Sequence, residues 1–149
     1  MFSIEVRSLK EAQTKLPQEP HAVISIYNSN ERYPELPENK NTIGILRLKF
    51  DDVDTEEQLR SLEVQASRPF IMFSEEQAQE ILNFALYHYK MIKHLIVHCT
   101  MGVSRSPGVA AALTNFFGGD DSHFFRRKSP NRHVYRTILE VASLYSSPD

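Results

Sequence analysis

The chain has one cysteine, no tryptophan and only five glycines in 149 residues. A single cysteine excludes an intrachain disulfide and a cysteine-paired zinc site, and it fits a reducing compartment. No stretch approaches the ~20 consecutive apolar residues that cross a bilayer. The opening Met1-Phe2-Ser3-Ile4-Glu5 lacks the basic-then-apolar layout of a secretory signal. Neither sign of charge is in excess: 17 Lys and Arg stand against 19 Asp and Glu, a net −2. That balance gives no general reason to expect nucleic acid or a membrane surface as partner. The six histidines hold no H-E-x-x-H pair, and no G-x-x-x-x-G-K-S/T loop occurs, so no metal ion, nucleotide or other cofactor is expected. What remains is a cytoplasmic protein with one domain over 1–149, large enough to bury about two-thirds of its extended surface in a single core.

Hydrophobic periodicity orders the elements. Residues 2–6 alternate and read as a strand, followed by a short helix over 9–16. Ala22-Val23-Ile24-Ser25-Ile26-Tyr27 is a second strand, branched enough to be central. Prolines 34 and 37 make 28–41 a loop. Residues 42–50 form a third strand, an acidic run occupies 51–57, and a short helix fits 56–63. Ser74 with Gln77 makes a capping box. Behind it Ala78, Ile81, Leu82, Ala85, Leu86 and Tyr89 line one helix face. A buried strand follows over 93–97. Then Pro107 opens a helix that buries Val109, Ala112, Leu113 and Phe116 and stops at Gly118-Gly119. Asp120-Asp121-Ser122 caps a short helix to residue 127. Ser129-Pro130-Asn131 starts the last one, with Val134, Ile138, Val141 or Ala142, and Tyr145 inward. Strands alternating with helices predict one layered α/β domain: a central, mostly parallel sheet flanked by helices, with ligands at the carboxyl ends of its strands.

The only cysteine lies at one of those ends, in His98-Cys99-Thr100-Met101-Gly102-Val103-Ser104-Arg105-Ser106. The thiol therefore falls in a tight turn between a strand end and a helix start. Backbone N–H groups and the positive helix end favour an anion there, and the same field favours thiolate over thiol. Arg105, separated from Cys99 by five residues, would supply a planar cationic fork suited to phosphate or sulfate oxygens. An ordinary buried cysteine would leave Gly102, Arg105 and Ser106 without a reason.

This run resembles the signature loop of the cysteine-dependent protein tyrosine phosphatases, H-C-x5-R-S/T, in its dual-specificity form. The resemblance covers about residues 94–113, and three strands and a long helix precede the loop, as in that branch. It implies a phosphate-binding loop between the last strand and a helix, and hydrolysis of a phosphate monoester on a protein or small molecule through a cysteinyl-phosphate. Cys99 would be the nucleophile. Arg105 with the backbone N–H groups of Thr100, Met101, Gly102, Val103 and Ser104 would bind phosphate. Ser106 would ease sulfur's departure, or serve only as a helix-start hydroxyl. His98 would steady the loop rather than donate a proton. The family takes its general acid from an aspartate on a neighbouring loop. Alignment of residues 45–50 with the family's strand puts it at Asp52, with Asp51 and Asp54 as alternatives and a solvated acidic loop as the bland reading.

Two features depart from the larger relatives: there is no Trp-Pro-Asp lid, and an insertion over 53–72 could act as a lid or move the acid. Asp52-Val53-Asp54-Thr55 starts like the D-x-D-x-T/V motif of haloacid-dehalogenase-type phosphatases, but Glu56 breaks the match. Arg126, Arg127, Lys128, Arg132 and Arg136 read as a solvated helix face, or alternatively as a rim attracting anionic substrate. The rival functions are a phosphate-binding module without turnover, which the presence of Cys99, Arg105 and Ser106 disfavours, and a rhodanese-like sulfurtransferase, which Arg105 and Ser106 disfavour.

Overall fold

Seven consecutive residues, His21–Tyr27, are all buried, and the sheet is built around them. The computed structural model describes residues 2–148, so the end residues of the expected domain, Met1 and Asp149, lie outside the described residues. In chain order the elements are β1 (Ser3–Arg7), α1 (Leu9–Thr14), β2 (His21–Tyr27), β3 (Thr42–Lys49), α2 (Glu56–Ala66), α3 (Glu75–His88), β4 (His94–His98), α4 (Arg105–Phe116), α5 (Ser122–Arg127) and α6 (Arg132–Ala142). The sheet runs β1-β4-β2-β3 and every pairing is parallel. A parallel sheet needs cover on both faces. Ala22, Ile24 and Ile26 of β2 and Leu95 and Val97 of β4 join the core with Ile81 and Leu82 of α3, Val109 and Leu113 of α4, and Val134 and Ile138 of α6. The alternate residues Val23 and Ile96 turn to the other face, where Ala12 and Leu16 meet Leu36 and Pro37 of the long β2–β3 loop.

Local chemistry sets the element ends. Ser8 and Glu11 form a capping box at α1, and Ser74 and Gln77 the expected one at α3. α1 stops at Thr14, two residues short of its expected end, because Leu16 precedes Pro17 and is pushed out of the helical region. α2 runs three residues beyond its expected 63 and ends where Ser67 turns left-handed at φ 54°, just before Arg68-Pro69. It buries none of its own residues. Leu86, expected on the buried face of α3, is only half-buried. α4 ends as expected: Gly118 N–H donates to the Asn115 carbonyl at 3.0 Å and Gly119 N–H to that of Thr114 at 2.8 Å. Asp121 precedes α5 without capping it; Asp120 instead accepts from the Ser122 amide at 2.9 Å.

One glycine governs how α4 meets α6. A Cβ on Gly108 would lie 2.9 Å from the Asn131 carbonyl oxygen, so the two helices approach at a distance that no larger residue permits. Asn131 itself starts α6, its Oδ1 accepting from the Val134 amide at 2.9 Å.

The sheet interior holds a polar chain between β2 and β4. His98 is fully buried, and its Nε2 lies 2.6 Å from Ser25 Oγ, which donates to Tyr27 Oη. The Ser25 hydroxyl thus bridges the Tyr27 phenol and the buried imidazole. Burial pushes His98 down to about 4, with the Cys99 carbonyl opposing only in part. The folded state therefore holds this ring neutral where an unfolded chain binds a proton, so stability is lost as pH falls from 6.5 towards about 4. Urea titrations across that interval are expected to show a decline of up to about 3 kcal/mol that is absent in His98→Gln. An equal slope in the variant would rule out His98 as its source.

Candidate active site

The parallel register brings the carboxyl ends of the strands together: Arg7 pairs with His98, His98 with Ser25, and Tyr27 with Lys49. The residues just beyond them, Ser8, Phe50 to Asp52 and Cys99, therefore converge on one rim. The loop from Cys99 to Ser104 sits there, tied on three sides through its carbonyls. Thr100 O accepts from the Leu9 amide at 3.1 Å, Val103 O from Ser129 at 3.1 Å, and Ser104 O from Asn131 at 2.9 Å. None of the amides of Thr100, Met101, Gly102, Val103, Ser104 and Arg105 donates to a protein acceptor among the described residues. Ser104 stands at the N-cap of α4 but makes no side-chain cap, so the first turn of that helix is also unsatisfied by its own cap residue. Gly102 has φ +71°, and a Cβ there would stand 3.0 Å from the backbone of Arg7 and Ser8, so both the turn and the close approach need glycine.

Within the loop, Cys99 Sγ lies 3.0 Å from Ser106 Oγ, and both residues are buried. Arg105 is buried too, its Nη1 donating to the Phe50 carbonyl at 2.8 Å. No carboxylate pairs with this guanidinium among the described residues. Met101 and Val103 instead turn apolar side chains to solvent at the mouth of the loop. His98 stands behind Cys99 on the polar chain described above, its Nδ1 3.5 Å from the Cys99 carbonyl, a distance too long for more than a weak contact.

The three aspartates of the acidic run have separate environments. Asp51 is buried and accepts from the Ser29 amide at 3.0 Å, from Ser29 Oγ, and from the Ile71 amide at 2.8 Å, with Arg68 at 3.9 Å. Burial would raise its pKa, but the bonds from Ser29 and Ile71 and the charge of Arg68 outweigh it and hold the carboxyl below its ordinary range. This carboxylate clips the β2–β3 loop to the far end of the 53–72 insertion. Asp54 accepts from the His133 amide at 2.9 Å, at the start of α6. Asp52 alone reaches the signature loop: Ser104 Oγ and Asn131 Nδ2 both donate to its Oδ1 at 2.8 Å, and the residue is exposed. A polar cavity of about 450 Å³ opens beside it, walled by both Asp52 and Asp54 with Ser104, Asn131, Lys128 and Arg132. Arg126, Arg127 and Arg136 lie on the exposed helix surface beyond.

The structure thus brings Cys99, the loop residues, Arg105, Ser106 and Asp52 to one rim and keeps Asp51 and Asp54 in other bonds. Sequence reasoning missed Ser25, Tyr27, the Phe50 carbonyl and the second role of Asn131. Asn131 was visible only as a helix start; nothing in its local spacing tells that its amide also holds Asp52. Among the described residues, no three or more His, Cys, Asp or Glu side chains gather in a way that could hold a metal ion, and no helix is long and apolar enough to cross a membrane.

No family model matches the chain, and no curated protein matches it either. Its fold does match solved structures. Tk-PTP in the active form superposes with a TM-score of 0.55 at 20% identity, over 96% of this chain and 92% of that one. The human tyrosine phosphatase-like serine/threonine/tyrosine-interacting protein gives 0.53 at 19%, over 95% and 92%. PTPMT1 in complex with PI(5)P gives 0.54 at 15%, over 84% and 78%. At these identities the likeness is one of fold. The chain has the fold of the dual-specificity, cysteine-dependent phosphatases.

Proposed function

We propose that the protein is a phosphate monoester hydrolase of the tyrosine and dual-specificity kind, working without a cofactor. The observation that carries this reading is the set of six loop amides, from Thr100 to Arg105, that have no protein acceptor among the described residues and directly follow Cys99. Amides left open at a helix start, beside a buried arginine with no carboxylate partner, suit a tetrahedral oxyanion.

In the first step the Cys99 thiolate attacks phosphorus; the S–P bond forms, the ester O–P bond breaks, and Asp52 gives its proton to the leaving oxygen. Arg105 and the loop amides hold the three equatorial oxygens, where charge spreads in the transition state. In the second step water attacks phosphorus, the P–S bond breaks, and the Asp52 carboxylate takes the proton from water. Ser106 Oγ, 3.0 Å from the sulfur, donates to the departing thiolate. Asp52 suits the acid role because it alone of the three aspartates bonds a signature-loop residue, Ser104, while its Oδ2 has no protein partner among the described residues.

Phosphotyrosine on a protein is the favoured substrate. Cys99 is 3% exposed beneath a mouth with Met101 at 72% and Val103 at 44%, a depth and apolar rim that suit a long aryl ester. A neighbour in fold, PTPMT1, is described in complex with PI(5)P; here the loop positions Thr100, Met101 and Val103 carry no lysine to favour an inositol phosphate. A lone reactive thiol also favours a cytoplasmic setting.

Purified protein is expected to hydrolyse an aryl phosphate in excess chelator. Cys99→Ser should abolish turnover with the fold intact, and Arg105→Lys should nearly abolish it because an ammonium cannot make the forked contact. Turnover that needs added magnesium, or that survives loss of the thiol, would overturn the mechanism. Asp52→Asn should lower turnover about 10²–10⁴-fold on phenyl or alkyl phosphates and much less on an activated aryl phosphate. Asp51→Asn and Asp54→Asn should stay within about tenfold of the wild type on the same substrates. A leaving-group-dependent loss in either of these instead would move the acid from Asp52.

A further inference from the structure

At the amino ends of β1 and β4, across the molecule from the loop, lies a larger cavity of about 650 Å³. That size falls within the roughly 300–1,000 Å³ of small-molecule sites. Its walls are mainly apolar, with Ile4, Met91 and Ile92 beside the rings of Phe2, Tyr89 and Phe117. Phe2 meets Phe117 edge-on at 5.1 Å, and Phe117 meets Tyr89 at 5.1 Å, so these three rings form one interlocked cluster. Two lysines, Lys90 and Lys93, also line it; both are exposed, and neither has a carboxylate within ion-pair distance among the described residues. No arginine lines the cavity, so an anion there meets lysine point charges without a bidentate fork, an arrangement that a singly charged carboxylate head satisfies. The signature loop and the aspartates beside it contribute nothing to this wall.

We propose that this cavity is a second ligand site, taking a small amphiphilic carboxylate: an alkyl or aryl body against the apolar wall and one negative head at Lys90 and Lys93. The charge complementarity picks this occupant over an uncharged apolar one, since a purely apolar ligand would gain nothing from the two cations. The site is independent of phosphate chemistry at Cys99.

Octanoate is the probe, with 1-octanol as its uncharged counterpart, titrated into ¹⁵N-labelled full-length protein and followed by amide chemical shifts. The expected result is saturable binding of octanoate with a dissociation constant below about 1 mM. The shifts should centre on the amides of Tyr89, Phe117, Gly118 and Gly119 and be the same in Cys99→Ser, which separates this site from the phosphate loop. The Lys90→Gln/Lys93→Gln double variant, whose changes are on exposed side chains, should bind octanoate about five- to tenfold more weakly and octanol unchanged. Shifts confined to residues 100–105, equal affinity for octanol and octanoate, binding indifferent to the lysines, no saturable binding, or capture by phospholipid vesicles without binding of monomeric octanoate would each overturn the proposal.

Discussion

A planar trans peptide points its C=O and N–H in opposite directions, and the candidate site rests on that constraint. Because the Thr100, Val103 and Ser104 carbonyls are bonded to α1, to the α5–α6 turn and to the start of α6, the amides of Met101, Ser104 and Arg105 must face the other way, into the loop. Asn131 is the knot in this arrangement. Its backbone amide holds the Ser104 carbonyl, its Nδ2 holds Asp52 and the Val53 carbonyl, and its Oδ1 caps α6. One residue thus sets the distance between the loop, the acidic run and the last helix, and Gly108 keeps α4 close enough for all of these bonds to form.

The acidic run shows how neighbouring carboxylates are divided among roles by environment. Asp51 is buried and fully engaged, so it acts as a clip for the β2–β3 loop and the end of the insertion. Asp54 is engaged at α6. Asp52, which lines the same cavity as Asp54, is the one bonded to the signature loop, through Ser104. The insertion between them carries α2, which buries nothing, and the Asp51 and Asp54 bonds fasten it at both ends.

Much of the fold was legible because its signals are local. Capping at Ser74, the apolar face of α3, the glycine pair after α4 and the branched run of β2 each act within a few residues. The errors were also local in cause: the reach of Pro17 shortened α1, and a left-handed Ser67 lengthened α2. The signature loop was legible for a different reason. Its thiol, glycine, arginine and hydroxyl occupy fixed spacings within nine residues. The parts that escaped are pairings across the sheet and between chain segments, which no spacing encodes. Ser25 meets His98 only because β2 and β4 are neighbours, and Arg105 meets a backbone carbonyl, that of Phe50, which has no side-chain signature at all. Asp52 is favoured in the sequence by alignment alone, and its bonds to Ser104 and Asn131 join segments that no spacing links.

The central claim is that the Cys99 loop is an oxyanion cradle around a reactive thiol. Alkylation of the wild-type protein by iodoacetate at neutral pH, with and without vanadate or inorganic phosphate, tests it most directly. Because Cys99 is the only thiol, mass spectrometry reads a single site. The account predicts rapid modification that either oxyanion suppresses, vanadate more strongly than phosphate. Slow modification that neither oxyanion changes would contradict it and leave Cys99 an inert core residue.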